Sequence, residues 1–357
     1  MIYIITFIIF CFGVYIVKNI SVFKSLYRIY KKLIFPKKYT IPKLSQYEFP
    51  LPPFPNTWYP ICLTSELKRN TLRKEKIAGR EFILYRSNNN VAQAISKNCS
   101  HMGVELVYGH VENDCVVCPF HHKCNKPNMD TSDEIYFIEE VNNVIFIWIS
   151  NLRNEKPEIS VTELMKQYTS QEKYMFSFSI FKRIVGGSLV DYAEHLLDNN
   201  HTLYIHGVHI DTQHTLINLS KHSFNIKFKI KDSYLTPNFT YITPTFGFIE
   251  YTENIKVYIM FVIRDVGCIE MIILPNGNSI KDILYSFMGS LYTFLDFSDE
   301  SAFFSTKAHN IRNLLSNEIE LYNFRKWFKN TFYEQRQIEN FEKNKIEFLN
   351  KKELHDW

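Results

Sequence analysis

Residues 99–121, CSHMGVELVYGHVENDCVVCPFH, open with Cys99-x-His101 and close with Cys118-x-x-His121. Each half offers one thiol and one imidazole from a short turn. Two such mixed pairs suit a [2Fe-2S] cluster with Cys on one iron and His on the other, a set that raises the potential above that of an all-Cys cluster. Two Cys and two His also serve structural zinc, and Cys115-x-x-Cys118 gives a second way to pair thiols. The order favours the cluster, because a zinc finger groups its cysteines before its histidines. With Cys99, His101, Cys118 and His121 as cluster ligands, Cys115 and Cys124 are bystanders.

Around this stretch lie short β-type runs, ILYRS at 83–87, VAQAI at 91–95, CVVC at 115–118 and VIFIWI at 144–149, separated by Asn, Gly and Pro clusters. They read as a small all-β domain over 55–150, starting near Trp58 and ending before the polar NLRNEKPE.

Further along, DYAEHLLDNNHTLYIH contains Glu194-x3-Asp198-x2-His201-x4-His206. Two His and a carboxylate hold a mononuclear iron with open positions for dioxygen. On a continuous helix residues 194, 198 and 201 share a face, with 206 reached after the chain bends beyond it. An amphipathic helix with ordinary histidines is the plain alternative, and His195 and His209 are read as that ordinary kind.

By both motifs, over about residues 55–350, the chain resembles the α subunits of Rieske non-haem iron oxygenases. The resemblance implies an α+β protein: the all-β cluster domain, then a catalytic domain over 151–357 built from helices and an antiparallel sheet in helix-grip, START-like form. It also implies Fe(II) held by His201, His206 and a later acid, with Asp198 bridging to a cluster His, across a subunit boundary in a homotrimer. Electrons would come from NAD(P)H through a separate reductase, and O2 would be the oxidant. The later acid is placed in FLDFSDESAFF, at Asp299, which is followed four residues on by Phe303; Glu300 and Asp296 are the alternatives. The chain departs from the family after the second cluster His, where His122 and Lys123 replace the usual Gly and aromatic. KCNKPNMDTSDE also lacks the customary Gly-rich return.

Residues 1–17, MIYIITFIIFCFGVYIV, carry no charge, and seven Lys and Arg follow between 18 and 38 without an acid. At about 1.5 Å per residue this apolar run barely crosses a hydrocarbon core of about 30 Å. A signal peptide competes with a signal anchor, but no basic n-region precedes the run and no small-x-small site follows it. The reading is therefore a transmembrane anchor over 1–17 and a basic juxtamembrane segment over 18–54, with the catalytic body on the cytosolic side by the positive-inside rule. In a eukaryote the endoplasmic reticulum is the expected membrane. Seven cysteines, an odd number, suit a reducing compartment. A net charge of +4 argues against a general nucleic-acid binder.

The anchor and PPFPNTWYPI before the cluster domain resemble the Neverland-type sterol 7-desaturases, which implies cholesterol as substrate. Another lipid, a pigment or an apolar xenobiotic fits the anchor as well. A membrane-tethered Rieske electron-transfer protein shares the order of anchor and cluster but needs no second His pair. Between 222 and 275, SFNIKFKI alternates as a sheet with one covered face, and GFIEYT, KVYIMFVI and CIEMIIL add further strands. The Gly- and Pro-free run 319–349 predicts one long helix with an aromatic packing stripe.

Overall fold

The computed structural model describes residues 51–343, apart from 128–133, 153, 170–180, 207–208, 232–235, 253–254, 278 and 308–318. The apolar run 1–17 and nearly all of the basic segment lie outside the described residues. Among the described helices none is long and apolar enough to cross a membrane.

Nine strands build the first part: β1 (Thr57–Leu63), β2 (Leu72–Ile77), β3 (Arg80–Arg86), β4 (Ala92–Ser96), β5 (His110–Glu112), β6 (Cys115–Val117), β7 (Cys124–Asn125), β8 (Ile138–Val141) and β9 (Val144–Ile149). They form three antiparallel sheets, ordered β1-β9-β8, β2-β3-β4 and β5-β6-β7. Three hairpins close with two residues each, Ala78-Gly79, Asn113-Asp114 and Asn142-Asn143, and all six have positive φ. Such turns match the twist of the strands they join, and Asn, Asp and Gly tolerate them best.

The second part runs through α1 (Val161–Thr169), β10 (Phe181–Val185), α2 (Leu189–Glu194), α3 (Asn199–His206), β11 (Ile210–Leu219), β12 (Phe224–Ile230), β13 (Asn238–Thr243), β14 (Phe246–Thr252), β15 (Ile255–Asp265), β16 (Cys268–Gly277), α4 (Ile280–Thr306) and α5 (Ile319–Phe332). Strands β11 to β16 form an antiparallel meander, and β10 pairs with β16 to complete a seven-stranded sheet. Phe224, Ile226 and Phe228 alternate inward on β12, while β15 is buried continuously from Val257 to Ile263. Helix α4 begins at Ser279, whose hydroxyl accepts the Asp282 amide at 3.1 Å, and packs across β10, β15 and β16. At Gly289 the helix comes so close that an added Cβ would lie 3.0 Å from Tyr251 and 3.2 Å from Val257.

The single long C-terminal helix expected over 319–349 is corrected. Helix α5 stops at Phe332, and a second helical run covers 335–343. Phe332 and Tyr333 turn into the core beside Phe328, and Ile338 is buried beyond them, so apolar burial breaks a run that holds no helix breaker. The aromatic stripe does pack, with Phe324 edge-on to Phe224 at 5.1 Å.

One apolar core runs through both parts. The Ala78 amide donates to the Ile263 carbonyl at 2.8 Å, and the Thr245 hydroxyl to the Trp58 carbonyl at 2.7 Å. Arg264 joins Glu75 on β2 to Glu270 on β16, at 2.6 and 2.7 Å. The cluster-type loops are thus mounted on a body continuous with the large sheet.

Candidate metal centres

The first motif occupies two facing loops. After β4, the Cys99 amide donates to the Val104 carbonyl at 2.8 Å and the Gly103 amide to the Cys99 carbonyl at 2.9 Å, with Gly103 at φ +73°. Between β6 and β7, the Cys118 amide donates to Lys123 at 2.9 Å and the His122 amide to the Cys118 carbonyl at 3.0 Å. Both thiols are buried, whereas His101 and His121 are exposed with ring centroids 4.8 Å apart. Burial raises the Cys118 pKa, but the Phe120 and His121 amides and the Cys99 thiol outweigh it and lower the value. Amides aimed at a sulfur favour the thiolate, the form that ligates metal. Two inner sulfurs and two outer imidazoles from opposed loops fit a [2Fe-2S] cluster with unlike irons.

His122, at the position where the resemblance leads one to expect Gly, adopts a left-handed backbone. Its φ is +56°, the left-handed region that glycine adopts freely and His tolerates better than most residues. Cys115 and Cys124 are joined as a disulfide between β6 and β7, Cα atoms 5.6 Å apart. The two cysteines read as bystanders of the cluster are thus paired with each other, and among the described residues Cys62, Cys99, Cys118 and Cys268 are free. Cys124 pairs with Val117 across the hairpin that presents Cys118, and Cys115, two residues before Val117, shares that residue's face, so the two sulfurs meet on a diagonal.

The second motif does not form one continuous helix. Helix α2 is followed by a 3-10 turn at 195–197, and the chain breaks at Asp198, at φ −86° and ψ 88°. The Asp198 carboxylate accepts the His201 amide at 3.2 Å, three residues ahead, and so caps α3. That cap is why the bend falls before His201 rather than after it, and why His201 and His206 share one helix. Glu194 turns away from both histidines. It is 2% exposed and accepts from Arg325 at 2.6 and 2.8 Å and from Lys307 at 2.7 Å. Burial opposes its charge, but Arg325 and Lys307 outweigh burial and lower its pKa.

His201 Nδ1 lies 2.5 Å from the Asp198 carbonyl, so Nδ1 carries the proton and Nε2 presents a lone pair. His201 Nε2 is 3.3 Å and His206 Nε2 2.7 Å from Glu300 Oε1, while His206 Nδ1 is 3.4 Å from Asp296 Oδ1. Glu300 is the acid that meets both imidazoles; the side chain of Asp299, the residue favoured from sequence, lies outside the described residues. His195, read from sequence as ordinary, also reaches this site, with Nε2 3.4 Å from Glu300 Oε2. Donor atoms of His195, His201 and Glu300 all fall within 4.8 Å of one another. His209 is exposed beyond α3 and takes no part in the cluster.

Charge is concentrated here. Burial works against the His206 imidazolium, but Asp296 and Glu300 hold its pKa up to about 9. Burial would raise the Glu300 pKa, yet His195, His201 and His206 hold it well below the usual carboxylate range. Burial lowers His195 to about 4 against the pull of Glu300. Glu300 Oε2 is buried and accepts no hydrogen bond among the described residues. Imidazole and carboxylate donors around an unsatisfied buried oxygen fit a divalent iron. The group opens into a pocket walled by Phe228, Ile230, Phe239, Ile249 and Phe297, with the Tyr251 and Thr293 hydroxyls 3.3 Å apart.

Residues 57–132 match the Rieske [2Fe-2S] domain. Over 121 residues the chain is 31% identical to cholesterol 7-desaturase nvd of Drosophila melanogaster, covering 30% of this chain and 28% of that protein. Over 167 residues it is 24% identical to the oxygenase component of 3-ketosteroid-9-alpha-monooxygenase of Rhodococcus rhodochrous, covering 43% of each. The matched stretches thus span less than half the length of either relative. In structure it is similar to the Pseudomonas putida CBB5 NdmA QL mutant with caffeine, at a TM-score of 0.57 and 14% identity over 77% of this chain and 89% of that one. The fold is therefore that of a Rieske oxygenase, a cluster domain joined to a helix-and-antiparallel-sheet domain.

Proposed function

We propose that this chain, which carries a Rieske domain on the fold of the Rieske oxygenases, is an oxidoreductase that uses O2 and NAD(P)H-derived electrons to oxidise an apolar substrate. The observation that carries the reading is the second metal centre. A Rieske electron carrier needs only the surface loops, whereas here two imidazoles and Glu300 converge at the end of an apolar pocket. Cys99, His101, Cys118 and His121 would hold the cluster, and His201, His206 and Glu300 the mononuclear iron. The cluster would supply electrons one at a time, and the iron would activate dioxygen.

The protein's own work is positional. Asp198 orients His201 through its carbonyl and caps the helix with its carboxylate. Asp296 backs His206 from the side opposite Glu300, a carboxylate–imidazole pairing that fixes ring orientation and raises ligand basicity. Phe228, Phe239 and Phe297 keep bulk water from the pocket, and the Tyr251 and Thr293 hydroxyls offer a polar end. His101 and His121 project from the surface, where a reductase or a neighbouring subunit can approach them. Asp198 as a bridge across a homotrimer interface belongs to this proposal.

Within the class, the substrate we propose is a sterol, and the reaction cholesterol 7,8-desaturation to 7-dehydrocholesterol. The two relatives above are named for a sterol and a ketosteroid. A pocket with apolar walls and a few hydroxyls suits a fused-ring hydrocarbon bearing a single polar group. A membrane anchor at 1–17, with the body facing the cytosol, would place the enzyme where sterols partition. The test is sterol profiling by mass spectrometry of cells fed cholesterol and expressing the chain, beside a His201→Ala, His206→Ala control. A 5,7-diene that appears only with the intact ligands is the expected result. No new sterol, from protein that carries its cluster and a reductase that reduces it, overturns the sterol assignment.

A further inference from the structure

We infer that His195 supplies a third imidazole to the mononuclear metal, making the ligand set three histidines and Glu300. The inference rests on the reading of His201, His206 and Glu300 as that metal's site. It departs from the two-histidine set the motif implies, and His195 lies outside the motif's ligand spacing.

Geometry carries it. The group of side chains whose donor atoms all lie within 4.8 Å of one another is His195, His201 and Glu300, and His206 joins it through Glu300, its Nε2 2.7 Å from Oε1. His195 Nε2 stands 3.4 Å from Glu300 Oε2, and His201 Nε2 stands 3.3 Å from Oε1. Donors held about 2.1 Å from one ion sit about 3.0 Å apart at an octahedral edge and about 3.4 Å apart at a tetrahedral one. Both separations are of that size.

A plain supporting role for His195 predicts something else. Were its imidazole only steadying Glu300, Nε2–H would donate to Oε2 and satisfy it. Oε2 is buried and accepts no hydrogen bond among the described residues, so His195 Nε2 stands 3.4 Å from it without satisfying it. One cation bound by both atoms satisfies both. Aromatic packing fixes the ring in this position, buried, edge-on to Phe297 at 5.2 Å and against Phe304 at 5.6 Å. The 3-10 turn after α2 aims it at His201, ring centroids 5.4 Å apart. Four protein ligands leave fewer open positions than three, which restricts what else binds the metal.

The test uses the full chain with its cluster assembled. Pulsed EPR of the nitric oxide adduct of Fe(II) counts coupled imidazole nitrogens, and Co(II) titration of protein freed of mononuclear metal gives an affinity. Three imidazoles are expected in the wild type and two in His195→Ala, with Co(II) affinity lower by about 10- to 100-fold. Circular dichroism and cluster absorbance report whether the variant is folded. Should it not fold, the wild-type count still decides. A wild-type count of two, or a folded His195→Ala with unchanged count and affinity, overturns the inference. Retention of metal by both His201→Ala and His206→Ala would instead overturn the site on which it rests.

Discussion

Replacing Glu300 with Gln keeps the shape of the site and removes its central charge, and the structure sets the size of the effect. In the metal-free protein His206 is held at about 9 instead of its ordinary 6.5, because Asp296 and Glu300 together overcome the burial that opposes its charge. A rise of about 2.5 units corresponds to about 3 kcal/mol in favour of the imidazolium. Two carboxylates share it, so loss of one should lower the His206 pKa by at least about one unit and cost roughly 1.5 kcal/mol at pH 7. The sign follows from linkage. A raised folded-state pKa stabilises fully below 6.5, and that contribution fades as pH climbs towards 9. Wild-type metal-free protein should therefore lose stability between pH 6.5 and 9, and Glu300→Gln should lose less, over a narrower window. NMR titration of the His206 ring and denaturant melts at pH 6, 7.5 and 9 measure both. The same variant should bind Co(II) at least about 100-fold more weakly, as expected when a ligand rather than an outer-shell partner is lost. An unchanged His206 titration with unchanged metal affinity in Glu300→Gln, beside loss of metal in Asp299→Asn, would refute the assignment and return the carboxylate to Asp299.

Two further substitutions separate structural from ligating roles. Glu194→Gln removes the carboxylate charge that faces Arg325 and Lys307 at a site where the acid is 2% exposed, and should cost about 3 kcal/mol in a denaturant melt while leaving the iron content of the folded protein unchanged. Iron lost without loss of stability would make Glu194 a ligand. Removing the Cys115–Cys124 bridge by Cys115→Ser, which spans nine positions, should destabilise the cluster domain by about 2.5 kcal/mol yet preserve the visible spectrum of the cluster. A bleached spectrum in folded protein would show that one of these sulfurs ligates iron.

Strands buried on one or both faces were legible from hydrophobic pattern alone, as VIFIWI at β9 and KVYIMFVI at β15 show. Strand β2, LRKEKI, was not, because its charges pair with neighbours that only the fold supplies: Glu75 meets Arg264, and Lys76 meets Asp265. Spacing identified Cys99, His101, Cys118 and His121 as two pairs, because each pair is local. It could not choose among Asp296, Asp299 and Glu300, since that choice depends on the rotation of α4 about its axis relative to α3. Two positions four apart, Asp296 and Glu300, share a helix face, which was a usable signal. His195 carried none, because its approach to Glu300 depends on the 3-10 turn between α2 and α3. The disulfide was equally hidden until β6 and β7 were paired.

The pocket and the metal site are mechanically one element, because both are read out along a single stripe of α4. Positions 289, 293, 296 and 300 recur at spacings of four, three and four, the repeat that stacks residues on one helix face. Gly289 sets the height of that face above the sheet, within ordinary reach of Tyr251 and Val257 only because it has no side chain. Thr293 donates to the Gly289 carbonyl at 2.9 Å and meets the Tyr251 hydroxyl, fixing the polar end of the pocket. Asp296 then braces His206, and Glu300 gathers the imidazoles from α3 and the turn before it. A shift of α4 large enough to admit a wider ligand beside Tyr251 would therefore also move Glu300 against histidines fixed by Asp198 and the Glu194–Arg325 pair. Metal geometry and substrate fit are coupled through a rigid rod, so the width of the pocket is constrained by the ligand set as much as by its own apolar walls.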